Sequence, residues 1–146
     1  MKFLVINGPN MNMLGLRNPK IYGQETFEDL IARIQRHCTE RGIVVDFFQS
    51  NHEGAIVDKI QEAMGKYDGI VINPAAYTHT SVAILDALEA VGIPTVEIHI
   101  SDINKREEFR HRDLISSACL ATIMGLGTDG YLKAIDVLER EIKSIK

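Results

Sequence analysis

No apolar run in the chain approaches the ~20 residues a helix needs to cross a bilayer. An excess of positive charge is missing too: 16 Lys+Arg stand against 20 Asp+Glu, a formal net charge of −4. That balance argues against a surface built for nucleic acid or anionic lipid, although a local basic site can sit inside an acidic shell. Cysteine is scarce. Cys38 and Cys119 share no motif spacing and both lie among apolar residues, so buried reduced thiols are expected, not a disulfide or a metal site. No His/Cys/Asp/Glu group has metal-ligand spacing along the sequence, and there is no G-x-S-x-G nucleophile elbow. Gly125-Leu126-Gly127 lacks the third glycine of a dinucleotide loop and the Gly-Lys-Ser/Thr ending of a P-loop, so it reads as a tight turn into the last helix. The apolar segment Lys2-Phe3-Leu4-Val5-Ile6-Asn7 is interrupted too soon for a signal peptide, and a cytoplasmic location is expected. No linker, repeat or low-complexity tract interrupts the 146 residues, which fit one domain over 1–146.

What is present is an alternation of β-rich runs and helical patterns. Strands are expected over Lys2–Asn7, 43–49, Gly69–Asn73, 95–100 and Ala121–Met124. Most are near-continuous apolar runs, as in parallel strands covered on both faces. Thr26 and Asp29 resemble a capping box, after which Phe27, Leu30, Ile31, Ile34 and Cys38 share one helix face up to Gly42. A second stripe carries Ile56, Val57, Ile60 and Met64, and ends near Gly65. A third carries Val82, Leu85, Leu88 and Val91 before Gly92 and Pro94, and a shorter helix is expected over about 106–115. The last begins near Asp129 and carries Leu132, Ile135, Leu138 and Ile142. These units predict an α/β three-layer sandwich with a five-stranded parallel sheet in the flavodoxin-like order 2-1-3-4-5. Ligands of such sheets bind beyond the carboxyl ends of the strands, so the loops after Asn7, Gln49, Asn73, Ile100 and Met124 are where chemistry is sought.

Residues 8–25 form an unusually long loop, and long loops are usually functional or disordered. It holds Asn10, Asn12, Arg17 and Tyr22. An Arg packed on an aromatic ring is the plain reading of Arg17 and Tyr22. The sharper one is a guanidinium that favours the phenolate, making Tyr22 a usable base. After the third strand, Thr80 or Ser81 can cap the next helix, while Asn73 and His79 offer hydrogen-bonding groups at a strand end. Glu97 and His99 share parity and so one side of the fourth strand. Ionisable groups in an apolar strand cost energy unless paired, and a Glu97–His99 hydrogen bond meets that cost while orienting the imidazole. Arg106 and Arg110, four apart, are expected on one helix face. They serve either as a solvated face beside Glu107 and Glu108 or as a carboxylate clamp.

Taken together, Asn7-Gly8-Pro9-Asn10-Met11-Asn12, Arg17 to Gly23, Gln49-Ser50-Asn51-His52-Glu53-Gly54, Asn73 to Ser81, Glu97 to Arg110, Gly125-Leu126-Gly127 and Gly130-Tyr131 resemble the type II 3-dehydroquinate dehydratases, over nearly the whole chain and in order. The resemblance implies a lyase of the shikimate pathway, a single catalytic domain acting on 3-dehydroquinate through an enolate, with no cofactor and no metal. It implies Tyr22 as base, Arg17 as the group lowering its pKa, Asn10 as holder of a water near the enolate oxygen, and His99 as acid oriented by Glu97. Asn73, His79, Ile100, Ser101 and Arg110 match substrate contacts. Asp86 matches a residue reaching the site from an adjacent subunit of a homododecamer, a tetramer of trimers. Arg106 matches a lid-side residue. Three places depart from the commonest pattern: Asp102 for Asn, Asn104 for His, and Arg112-Asp113 for His-Ser.

A flavodoxin-like binding module without catalysis, or a repurposed relative, would share the fold. An FMN module wants a short Ser/Thr-rich phosphate loop after the first strand, and a receiver wants an acidic cluster there. This chain has Arg17 and Tyr22 in that place.

Overall fold

Apolar residues on alternate sides of a strand must be covered on both, and this chain covers them with two helical layers. The computed structural model describes residues 1–16, 20 and 24–145. Strands β1 (Lys2–Asn7), β2 (Val44–Gln49), β3 (Gly69–Asn73), β4 (Thr95–His99) and β5 (Ala121–Met124) form one parallel sheet in the order β2-β1-β3-β4-β5, as expected. Helices α1 (Phe27–Glu40) and α4 (Asp129–Ile145) cover one face, where Phe3, Val5, Val71, Val96 and Ile98 pack against Leu30, Ile34, Tyr131 and Leu138. Helices α2 (Glu53–Glu62) and α3 (Val82–Val91) cover the other, where Leu4, Ile6, Ile70 and Ile72 meet Ile56, Ile60, Ile84 and Leu88. No helix among the described residues is long and apolar enough to cross a membrane.

Local signals set the helix starts. Thr26 accepts from the Asp29 amide, Asp29 accepts from the Thr26 amide, and the capping box is complete. Ser81, not Thr80, caps α3 by accepting from the Ile84 amide at 2.9 Å. Arg33 on α1 reaches Glu25 at 3.0 Å, the Thr128 hydroxyl at 2.8 Å, and Asp129 at the start of α4. Residues 8–25 thus have their far end fastened to the helical layer. Their near end is fastened by buried Met11 and Leu14.

Four expectations need correction. Met64 and Val82 are exposed, and the faces that pack are Ile56, Ile60 and Ala63, and Ile84, Ala87 and Leu88. Cys119 is only half-buried, whereas Cys38 is buried. The helix over 106–115 is absent: separate 3-10 turns occupy Ile103–Lys105 and Glu108–Arg110. Backbone groups there are drawn to other partners. Leu114 N–H donates to the Thr78 carbonyl, and Asp113 takes the amides of Ile115 and Ser116. Such pairings outcompete modest helix propensity.

Gly8 follows β1 where its amide donates to the Asn73 carbonyl at 2.8 Å. A Cβ there would lie 2.4 Å from the Pro74 carbonyl oxygen. Gly8→Ala should therefore destabilise the protein by about 1–3 kcal/mol, read as a lowered urea midpoint. Gly54→Ala, where an added Cβ meets nothing within 4 Å, should not. Equal midpoints for both variants would contradict the close approach.

Candidate active site

Strands β1, β3 and β4 deliver Asn7, Asn73 and His99 to the same edge of the sheet. Buried polar groups there need partners. Tyr131 of α4 is fully buried, and its hydroxyl donates to Asn7 Oδ1 and accepts from Asn73 Nδ2, the latter at 2.9 Å. Burial pushes the Tyr131 phenol well above its ordinary range, with Asn73 acting weakly the other way. Asn73 Oδ1 also takes the Ala75 amide at 3.0 Å. The amide is thus largely committed inside the protein while the residue walls the cavity.

The other face carries the ionisable pair. Glu97 is completely buried and His99 nearly so. His99 Nε2 hydrogen-bonds Glu97 Oε2, and Thr122 of β5 donates to Glu97 Oε1 at 3.3 Å. The parity argument placed these side chains together correctly. With Nε2 occupied by Glu97, Nδ1 is the ring nitrogen left to face the cavity. Asp113 is a third member, its Oδ2 3.8 Å from His99 Nε2. Burial pushes the Glu97 carboxyl up to about 7; the hydrogen bond from His99 works downward and Asp113 adds to the rise. Glu97, His99 and Asp113 also bring ligand-type atoms within 4.8 Å of one another, a grouping that sequence spacing hid. Glu97 and His99 are bonded to each other, and Asp113 Oδ1 takes two backbone amides.

A cavity opens beside His99 and gathers Asn10, Asn73, His79, Ile100, Ser101, Arg106 and Arg110. Asn10 adopts a left-handed φ of 70°, and its amide donates to Asn51 Oδ1 at 3.0 Å. His79 donates from Nδ1 to the Arg112 carbonyl at 2.8 Å, which leaves Nε2 for the cavity. Arg110 bonds Glu107 at 3.3 Å and lies 5.0 Å over the Phe109 ring, while Arg106 approaches the same Glu107 at 3.8 Å. The Glu107 carboxyl is held below its usual range by its own backbone amide and by Arg110. The two arginines reach the cavity together from successive turns, without the helix the sequence suggested.

Asp86 is exposed on α3 and does not line the cavity. Arg17 and Tyr22 lie outside the described residues. Sequence reasoning missed the roles of Tyr131 and Asp113. Tyr131 stands four residues before Ile135 and seven before Leu138, a spacing that could have placed it in the packed stripe in preference to Leu132. Asp113 carried no signal beyond being unusual.

Residues 1–139 match the family model for dehydroquinase class II. The chain belongs to the class II dehydroquinases. It is 52% identical to the 3-dehydroquinate dehydratase of Clostridium perfringens over 99% of both chains. It is 54% identical to a catabolic 3-dehydroquinase of Aspergillus clavatus, covering 91% of this chain and 89% of that one. Among solved structures, the type II dehydroquinase of Butyrivibrio crossotus superposes with a TM-score of 0.94 at 55% identity, covering 95% of this chain and 97% of that one.

The Glu97 environment has a stability signature. A carboxyl raised from 4.5 to about 7 on folding contributes stability that is fully present below about pH 4.5 and is lost as pH rises through about 7. Denaturation of this dehydroquinase should show that decline, and Glu97→Gln should flatten it. Parallel stability curves for the two proteins would exclude a raised Glu97.

Proposed function

We propose that this class II dehydroquinase is a lyase that removes water from 3-dehydroquinate to give 3-dehydroshikimate, an anti elimination through an enolate. The observation that carries the reading is the buried Glu97–His99 pair opening onto a cavity that Arg106 and Arg110 also enter. Relatives named 3-dehydroquinate dehydratase, about half identical to this chain, support it.

In this scheme Tyr22, as phenolate, takes the proton from the carbon alpha to the ketone. Arg17 favours that phenolate electrostatically. The electron pair moves onto the ketone oxygen, where a water held by Asn10 steadies the enolate. As the enolate collapses, the C–O bond to the hydroxyl breaks, and His99 delivers a proton so that water departs. Glu97 keeps Nε2 engaged and the ring aimed. Arg110 and the backbone amides of Ile100 and Ser101 take the substrate carboxylate, since guanidinium and amide donors fit its two oxygens. His79 and Asn73 contact the substrate hydroxyls. Base and acid on separate elements suit attack at opposite faces of the ring.

The direct test is to add 3-dehydroquinate and follow the conjugated enone in the near ultraviolet. Tyr22→Phe should lose ~10²–10⁴-fold or more in turnover while still binding substrate, as expected for a lost general base. A variant keeping more than about a tenth of the wild-type rate would refute Tyr22 as base.

The same reading extends to a cytoplasmic homododecamer built as a tetramer of trimers, each site completed by Asp86 of a neighbour. Asp86 is exposed and is not among the residues lining its own cavity, and Val82 on the same helix exposes a large apolar side chain. Closed symmetric association would cover both. Light scattering should give a dodecameric mass, and dissociation in mild denaturant should lower activity before helical structure is lost. A fully active monomer would refute the shared site.

A further inference from the structure

We propose that Asp113 is a positioning residue for His99: with Glu97 it forms a buried carboxyl pair that shares one proton and holds a single negative charge against the imidazole. The proposal rests on His99 serving as the acid, and adds a partner for it from a loop outside the strand.

Three observations place Asp113 in this role. Its Oδ1 accepts from the Ile115 and Ser116 amides at 2.9 and 3.1 Å, which fixes the side chain. Its Oδ2 is then left 3.8 Å from His99 Nε2, the nitrogen that already bonds Glu97. Glu97 is fully buried and Asp113 is largely so, its side chain 14% exposed. Two ionised carboxylates in such a space repel and are poorly solvated, so one proton between them is the favoured state. The remaining charge matches an imidazolium at His99, the form needed to protonate a departing hydroxyl.

The groups acting on Glu97 are consistent with this. Beyond burial, His99 on its own strand pulls its proton affinity down and Asp113 pushes it up. Thr122 from β5 contributes a neutral hydroxyl. The Cys119 thiol lies in the same field: burial first, then Glu97 and Asp113, drive its ionisation well above the usual thiol range. It therefore adds no charge to the group.

The test separates charge from turn capping. Asp113→Asn keeps an oxygen for the Ile115 and Ser116 amides but removes the carboxyl proton and charge. Carboxyl ¹³C NMR of the intact protein should show the Glu97 midpoint about one pH unit lower in Asp113→Asn than in wild type. In turnover assays kcat should fall several-fold and its acidic limb should move the same way, with KM little changed. A Glu97 midpoint that does not move would overturn the proposal and leave Asp113 a turn cap. Should Asp113→Asn fold poorly, Asp113→Ser provides the same comparison with a hydroxyl cap. The NMR titration needs no substrate. An inactive wild type with a shifting Glu97 would thus reject the reaction while keeping the proton-sharing pair, although its role in positioning an acid would fall with the reaction.

Discussion

The buried edge where β1, β3 and β4 end must find partners for most of the polar groups it carries, Asn7 Nδ2 being left without one, and the rest of the site depends on how it does so. Central strands covered on both faces have no solvent to fall back on. On one face a single phenol, Tyr131, serves both Asn7 and Asn73. On the other, Glu97 is divided between His99 and Thr122. Each face thereby ties the strand ends to a further element: helix α4 in one case, the neighbouring strand β5 and the 111–115 segment in the other. The cavity between them is shaped by these obligations as much as by its own lining.

This division explains why a class II dehydroquinase can keep an ionisable pair at the end of an apolar strand. An unpaired Glu97 in that position would destabilise the fold by several kcal/mol. Paired, its burial cost is reduced though not removed, and it fixes one ring nitrogen of His99, so the other points outward in a defined orientation. The two arginines are handled differently. Both meet Glu107, an exposed carboxylate whose attraction is screened by water.

Much of this was legible in the sequence, and the gaps have physical reasons. Apolar runs located all five strands, with ends displaced by a residue in β2 and β4. Parity alone put Glu97 and His99 on one side, because a strand's period of two leaves no alternative. The Thr26–Asp29 box was readable because its partners are three residues apart. Tyr131 was not, because what it touches is distant in sequence: Tyr131 and Asn7 are separated by 124 positions. Asp113 was not, because its approach to His99 depends on how the intervening loop folds back. The 106–115 segment misled for the same reason. Its charges and spacing favour a helix locally, but the Thr78 carbonyl and the Asp113 side chain claim its amides.

The Arg33 cluster has a consequence for the segment that carries Arg17 and Tyr22. Leu14 sits in the core at one end, and Glu25 is held by Arg33 at the other, alongside Thr128 and Asp129. With both ends fixed in the folded domain, the loop-closure entropy of the connection is settled when the domain folds. The placing of those two ends is therefore set by α1 and α4, and not by the strands that build the site. A substitution at Arg33, a half-buried residue that does not line the cavity, would release the Glu25 end from both helices.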